Sequence, residues 1–356
     1  MLITIVSFLC VIVVLIITHE LGHFITAKAS GVRVEEFGLG FPPRLLSIKR
    51  GETLYSLNAI PLGGFTKMAG EEDPKVPRSL ASKSIGTRLL VLSAGSIMNL
   101  LLPLLLFSIA FMLPHDLVSE PVVVEEVASN SPAARAGIEP GDTIISINEK
   151  QIPNLSELHR SIQLNLGKKT IILVKHSVLT TEEIQVIPRW KPPEGQGAIG
   201  IKLDLEAAQL SQVVTRQHYP FWEAIPMGIS TCIETFVLFK NGIASMFIGT
   251  TPVGVTGPVG IAQITGEMAK AGISPLLEFA AFISINLGII NLFPLPALDG
   301  GRIVFVLLEW VRRGKRIRPE RESLVHLIGF AMLMAATVAI TYQDILRIMT
   351  GGSLMP

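Results

Sequence analysis

The sequence predicts a polytopic α-helical membrane protein: four transmembrane helices, a membrane-associated β-hairpin region after the first, and an extracytoplasmic α/β domain inserted after the second. Three observations predict it. Of 356 residues, 49% are hydrophobic and only 17% charged, whereas a soluble chain carries about 25% charged residues. Apolar runs long enough to cross hydrocarbon, which takes roughly 20 residues, recur along the chain. Basic residues gather in two of the segments between those runs.

Residues 1–29 form the first span. Leu2 to Ile17 is almost wholly apolar, and the character continues to Ala29. A cleaved leader would carry basic residues before its apolar core and a small-x-small site after it. Here nothing basic precedes Lys28, and a His-Glu pair follows the core, so a retained span is expected. Residues 30–87 are rich in Gly and Pro, with short β-like pieces such as Leu54–Asn58. Residues 88–114 form the second span, closed by Pro114.

Residues 119–206 read as a folded α/β insert. Val122–Val124, Thr143–Ile147, Thr170–Val174 and Glu183–Ile187 are strand-like, and Ser156–Leu166 is helical. Residues 207–273 form an interfacial amphipathic linker, because Glu223, Glu234 and Lys240 interrupt the apolar run from Tyr219 to Ile248. Residues 275–309 make the third span, 310–322 a basic loop and 323–347 the fourth span. Basic residues from Lys28 to Arg88 and from Arg312 to Arg321 place both of those loops in the cytoplasm, with the insert and both termini outside.

Composition also excludes functions. Net charge is +1, with no basic-aromatic interleaving, so no nucleic acid partner is expected. The two cysteines, Cys10 and Cys232, have no CxxC spacing, which leaves a disulfide framework and a thiolate metal site unsupported.

His19-Glu20-Leu21-Gly22-His23 is an HExxH motif. On a helix, positions i and i+4 share a face, so both imidazoles can reach one metal ion while Glu20 takes a proton from an activated water. The motif closes a transmembrane run, where ionisable groups cost about 2.5–3.5 kcal/mol each on insertion scales and rarely persist without a role. A catalytic zinc takes three protein ligands, and the candidate third is Asp299 in the stretch Asn291–Gly301. Asp299-Gly300-Gly301 also reads as a plain turn ending a span. Against that, Pro294 and Pro296 break the helix, and broken backbone at membrane depth implies a polar cavity. If residues 207–273 cross the membrane zero or two times, Asp299 and the HExxH motif lie at one depth, toward the cytoplasmic side.

HELGH in the first span, NLFPLPALDGG in the third and the insert between them resemble the site-2 protease family, in its bacterial RseP-type branch. The resemblance covers nearly the whole chain. It implies one catalytic Zn2+ held by His19, His23 and Asp299, with Glu20 as general base and a location in the bacterial cytoplasmic (inner) membrane. It also implies substrate-binding positions at Asn291 and, in the hairpin stretch Pro61–Gly70, at Gly63, Gly64, Phe65 and Met68. That stretch resembles the family's membrane-re-entrant β-hairpin, whose strand edge could hold an unwound substrate. Gly95-Ser-Ile-Met-Asn99 matches a second-span motif whose small residue allows close helix packing.

Ala136–Asn148 resembles the turn and strand of a bacterial PDZ domain, with Gly197–Ile201 as its late strand. Gly38-Leu-Gly-Phe41 spells a PDZ carboxylate-binding loop but lies on the wrong side of the second span. The partners implied are single-span membrane proteins, the lipid bilayer, and peptide C-termini at the PDZ domain. The substrates implied are regulators of the anti-sigma-factor type or remnant signal peptides. Two rivals remain: a metal transporter using the same three ligands, and an inactive scaffold presenting its PDZ domain. A transporter has no need of Glu20 between its ligands, and the intact HExxH with a candidate third ligand argues against the scaffold.

Overall fold

The computed structural model describes residues 1–176, 180–250 and 256–350, with backbone alone at Pro61 and Leu62. The chain opens with α1 (Leu2–Ala29), β1 (Val34–Arg50), β2 (Thr53–Met68) and α2 (Ile85–Met112). Then come β3 (His115–Ser119), β4 (Val122–Val127), α3 (Pro132–Ala136), β5 (Thr143–Ile147), β6 (Lys150–Gln151), α4 (Leu155–Leu164), β7 (Thr170–Lys175), β8 (Thr181–Val186) and β9 (Ile201–Leu203). The remainder is α5 (Leu205–Leu210), β10 (Val213–Gln217), α6 (Phe221–Ile248), α7 (Pro258–Ala271), α8 (Ile273–Leu292), α9 (Asp299–Val311) and α10 (Pro319–Met349). Two compact units result. One comprises Met1–Ala110, Ala224–Gly228 and Val255–Pro356; the other comprises Phe111–Glu223 and Ile229–Gly254.

Five of the described helices are long and apolar enough to cross a membrane: α1, α2, α6, α8 and α10. By length and composition, therefore, α6 joins the four runs expected from sequence. The expected third span is two helices, since α8 stops at Leu292 and α9 starts at Asp299. Pro294 and Pro296 lack the N–H groups that would continue α8.

In the first unit, α1 and α2 meet where Gly22 lies against the Ala94 carbonyl; a Cβ at Gly22 would overlap that oxygen. β1 and β2 fold back on each other. Residues 36–39 of β1 pair with both 64–67 and 54–57 of β2, while 46–50 pair with 53–57. Gly64–Met68 is thus paired on one side only among the described residues. The Gly38–Phe41 stretch belongs to this sheet, opposite Phe65 and Gly64, which accounts for it without a carboxylate-binding role.

At the β1–β2 turn, Glu52 meets Arg78 at 2.7 Å and Lys28 at 2.8 Å. Those cations pull its carboxyl down to about 2. Arg88 of α2 pairs with Glu309 of α9, both nearly buried, and Arg316 completes the cluster at 3.0 Å. Asp344 of α10 is buried and accepts a hydrogen bond from Gly260 N at 2.8 Å, satisfying an open donor in the first turn of α7.

The second unit holds a sheet ordered β8-β7-β5-β4-β9, with β6 beside β5. Val122 and Val124 of β4 and Ile172 and Val174 of β7 alternate inward, Ile144 and Ile147 of β5 join them across a register shift, and all pack with Leu158 of α4. Ser131 and Asn154 cap α3 and α4 through their side-chain oxygens. The late strand differs from expectation. It is Ile201–Leu203, and residues 197–200 form the loop before it, because Gly200 (φ +80) turns the chain against Ser131.

β3 and β10 form a separate antiparallel ribbon. The stretch of α6 in this unit is fastened by polar contacts. Glu234 reaches Lys150 at 3.1 Å and Arg160 at 2.9 Å, and Asn241 donates to Gln163 O at 2.7 Å. Glu234, one of the three charged interruptions in the apolar run, and Asn241 are therefore docking contacts on the α/β fold.

Candidate metal centre

α1 carries His19, Glu20 and His23, and the helical spacing brings the two histidine Nε2 atoms to 3.3 Å. His23 is buried, with Nδ1 2.8 Å from the Val91 carbonyl. A carbonyl only accepts, so Nδ1 carries the proton and Nε2 keeps its lone pair for a metal. Asp299, the first residue of α9, sets Oδ2 3.1 Å from each Nε2. Its place follows from the break after α8, which turns the chain just before the carboxylate.

These residues fit a zinc ion. Tetrahedral coordination at about 2.0–2.1 Å separates neighbouring ligand atoms by about 3.3 Å, and the three here stand 3.1–3.3 Å apart. Gly95 of α2 makes the room: a Cβ there would overlap His23 Nε2 and His19 Cε1. The glycine expected to let helices pack thus clears space for the imidazoles, and the close helix approach lies at Gly22. Two imidazoles and one carboxylate are a donor set that suits zinc and leaves its fourth position open.

One turn from Gly95, buried Asn99 places its side-chain amide 3.4 Å from His19 Nδ1, and its Oδ1 has no partner. The two amide atoms exchange by a half-turn of the side chain. In that orientation Oδ1 accepts from Nδ1–H, as the Val91 carbonyl does for His23.

Around the ligands lies a cavity of about 340 Å³. One wall is the one-sided strand segment Gly64–Met68, and another is Ala297, Asp299 and Arg302. Thr66 donates its hydroxyl to the Glu20 carboxylate at 2.8 Å and lies 3.1 Å from the Glu20 carbonyl. Glu71 accepts from Met68 N at 3.0 Å and pairs with Arg302, so it fastens the end of β2 to the first turn of α9.

Of the positions expected from sequence, His19, Glu20, His23, Asp299, Gly64, Phe65 and Met68 all line this cavity. Gly63 does not; it turns the strand at φ +106 with the Phe41 ring against it. Asn291 is half-buried near the end of α8 and is also outside the lining. Thr66 lies within the Pro61–Gly70 stretch without a role of its own in the sequence reading, and Glu71 and Arg302 fall just outside the motifs. The four-residue spacing of Gly95 and Asn99, which places both on one face of α2, was the available signal for that pair.

Peptidase family M50 matches residues 7–336. The chain belongs to that family. A Clostridium acetobutylicum relative is 37% identical over 333 residues, covering 93% of this chain and 94% of its own; its name also refers to a zinc metalloprotease. Zinc metalloprotease RasP of Geobacillus kaustophilus is 29% identical, covering 96% and 97%. Regulator of sigma-W protease RasP of Bacillus subtilis is 28% identical, covering 97% and 99%. Among solved structures, the PDZ domain of an SdrC-like protein from Listeria monocytogenes matches 24% of this chain and 87% of its own at 26% identity, with a TM-score of 0.21. This M50 peptidase is a zinc metalloprotease of the site-2 protease type and a membrane protein with several helices able to span the bilayer.

Proposed function

We propose that this M50 peptidase cuts transmembrane segments of single-span membrane proteins, of the anti-sigma-factor type or remnant signal peptides, in regulated intramembrane proteolysis. The observation that carries it is a complete donor triad on membrane-length α1 and the α8–α9 break, facing a one-sided β-strand edge. A helical peptide bond is shielded by its own backbone hydrogen bonds. An edge that offers unpaired N–H and C=O groups can hold the same segment extended. Gly64, Phe65 and Met68 would contact it; Gly63 would shape the turn before them, and Asn291 would act from outside the cavity lining.

His19, His23 and Asp299 would hold the ion. Zinc, when bound, supplies Lewis acidity that polarises the scissile carbonyl and makes water nucleophilic near neutral pH. Glu20 takes the proton from the attacking water and delivers it to the leaving amide nitrogen as the C–N bond breaks. Thr66 keeps the Glu20 carboxylate turned toward the cavity.

The chain would cross the bacterial cytoplasmic (inner) membrane four times, with the site toward the cytoplasm and the PDZ-type insert outside. Two observations support that topology. The HExxH motif and Asp299 meet at one level, which requires an even number of crossings between α2 and α8. The Glu234 and Asn241 contacts also hold α6 to the insert rather than leaving those side chains in lipid. The insert would bind peptide C-termini or exclude bulky ectodomains. The name of the Bacillus subtilis relative speaks of sigma-factor regulation in that protein, which favours regulators among the substrate classes.

The test is Glu20→Gln. Cleavage of a single-span model substrate in proteoliposomes should vanish while zinc stays bound at one ion per chain. Unchanged turnover would end the protease mechanism, and would favour a transporter if zinc flux persisted.

A further inference from the structure

The third ligand stands on a backbone conformation that L-residues rarely adopt. Ala297, two residues before Asp299, has φ +74. Within Phe293–Leu298, Pro294 and Pro296 have no N–H, and the local bonds are Leu295 N to Phe293 O at 2.7 Å and Leu298 N to Leu295 O at 3.3 Å. The second closes a β-turn with Pro296 and Ala297 at its centre, the arrangement in which the third residue takes a positive φ, and it leaves the Ala297 N–H without a partner inside the turn. That N–H is taken instead by a side chain from another helix: it donates to His326 Nδ1 of α10 at 3.0 Å.

Two further contacts place α10 at this turn. Gly329 shares a helix face with His326 and lies directly against Pro296; a Cβ there would overlap the proline. The Phe305 ring of α9 packs on the imidazole at 5.5 Å between centroids. A nitrogen that accepts must be unprotonated, so neutral His326 carries its proton on Nε2, which is buried without a partner. An imidazole kept with one nitrogen unsatisfied, for the sake of one backbone N–H, points to that N–H as what is being held.

We propose that His326 is the positioning residue for the metal ligand Asp299: it fixes the left-handed Ala297 turn and thereby sets the carboxylate beside His19 and His23. It touches neither ion nor substrate. The inference rests on the zinc-site assignment made above. If it is correct, an acceptor at Nδ1 matters and ring shape alone does not suffice. His326→Phe keeps a ring against Phe305 but removes the acceptor, whereas His326→Asn places an oxygen near Nδ1.

Zinc affinity, measured by chelator competition on the detergent-solubilised full chain, reads the proposal without activity. H326F should bind zinc about 10–100-fold more weakly, with kcat reduced and KM held within about twofold. H326N should recover affinity to within about threefold of wild type. Asp344→Ala serves as the control for loosened α10, since it removes the acceptor that caps α7; it should lower the melting temperature and leave zinc affinity unchanged.

Wild-type affinity in H326F overturns the proposal, and so does H326N failing as badly as H326F. Nitrogen-15 histidine spectra of the wild-type protein decide the matter even if H326F does not fold. An Nε2–H tautomer at His326 is expected, and an Nδ1–H tautomer overturns it. Failure of the wild-type chain to bind zinc would instead strike the zinc-site assignment.

Discussion

Thr66 and Glu20 are joined by a 2.8 Å hydrogen bond from the threonine hydroxyl to the carboxylate Oε2. Thr66 belongs to the strand segment that would receive substrate, and Glu20 is the proposed base, so substrate seating and base orientation meet in one contact. Replacing Thr66 by Val should lower kcat about 10- to 150-fold, in keeping with loss of a hydrogen bond to a charged group worth about 1.5–3 kcal/mol. KM should change little. Thr66→Ser should retain most of the rate; equal loss in both variants would assign the effect to packing.

Gly95 admits no side chain. Gly95→Ala should displace the imidazoles of His19 and His23 and reduce bound zinc well below one ion per chain by elemental analysis. Asn99 can be tested in the same assay. Asn99→Leu should weaken zinc about 10–100-fold, while Asn99→Asp, whose carboxylate also accepts from His19 Nδ1, should hold it. Equal zinc retention by Asn99→Leu would remove Asn99 from the support of His19.

The Arg88–Glu309 pair is nearly buried between α2 and α9. Removing Glu309 strands Arg88, so Glu309→Leu alone should destabilise the solubilised protein by about 3–5 kcal/mol, whereas Arg88→Met leaves Glu309 paired with Arg316 and should cost less. Arg88→Met combined with Glu309→Leu should recover much of the Glu309→Leu loss. Thermal melts of the single and double variants, compared as a cycle, measure the coupling.

In the α/β domain, Asp142 is buried and lies 2.9 Å from His176 Nδ1, with Glu182 at 3.4 Å from Nε2. The Asp142 contact raises the His176 pKa above 6.5. A raised pKa means that the folded state binds the proton more tightly than the unfolded one. The stabilisation is therefore fully present below about 6.5 and fades as pH rises through the folded value. Proton NMR titration of His176 should give a midpoint above 6.5, and Asp142→Asn should bring it back toward 6.5. A wild-type midpoint at or below 6.5 would contradict the contact.

Much of this protein is legible in its sequence, because the signals concerned are local. Continuous apolar runs of about 20 residues must be helices in lipid, and α1, α2, α8 and α10 lie where those runs predict. Histidines four apart share a helix face wherever that helix goes. Two prolines must break a span, and α8 ends just ahead of them. Short strand-like runs likewise marked β4, β5, β7 and β8.

What tertiary structure decided lies between residues far apart in the chain. Thr66 meets Glu20 across 46 positions and Asp299 meets His23 across 276. The meeting of His326 and Ala297 depends on how α10 packs, which no periodicity encodes. The same holds for α6: hydropathy marks it as a candidate span, while the contacts of Glu234 and Asn241 join it to the α/β domain. Only packing distinguishes a polar side chain facing lipid from one with a partner. The shared helix face of His19 and His23 was thus fixed by spacing alone. Asp299 became their neighbour only through the backbone turn that α9 and α10 hold in place.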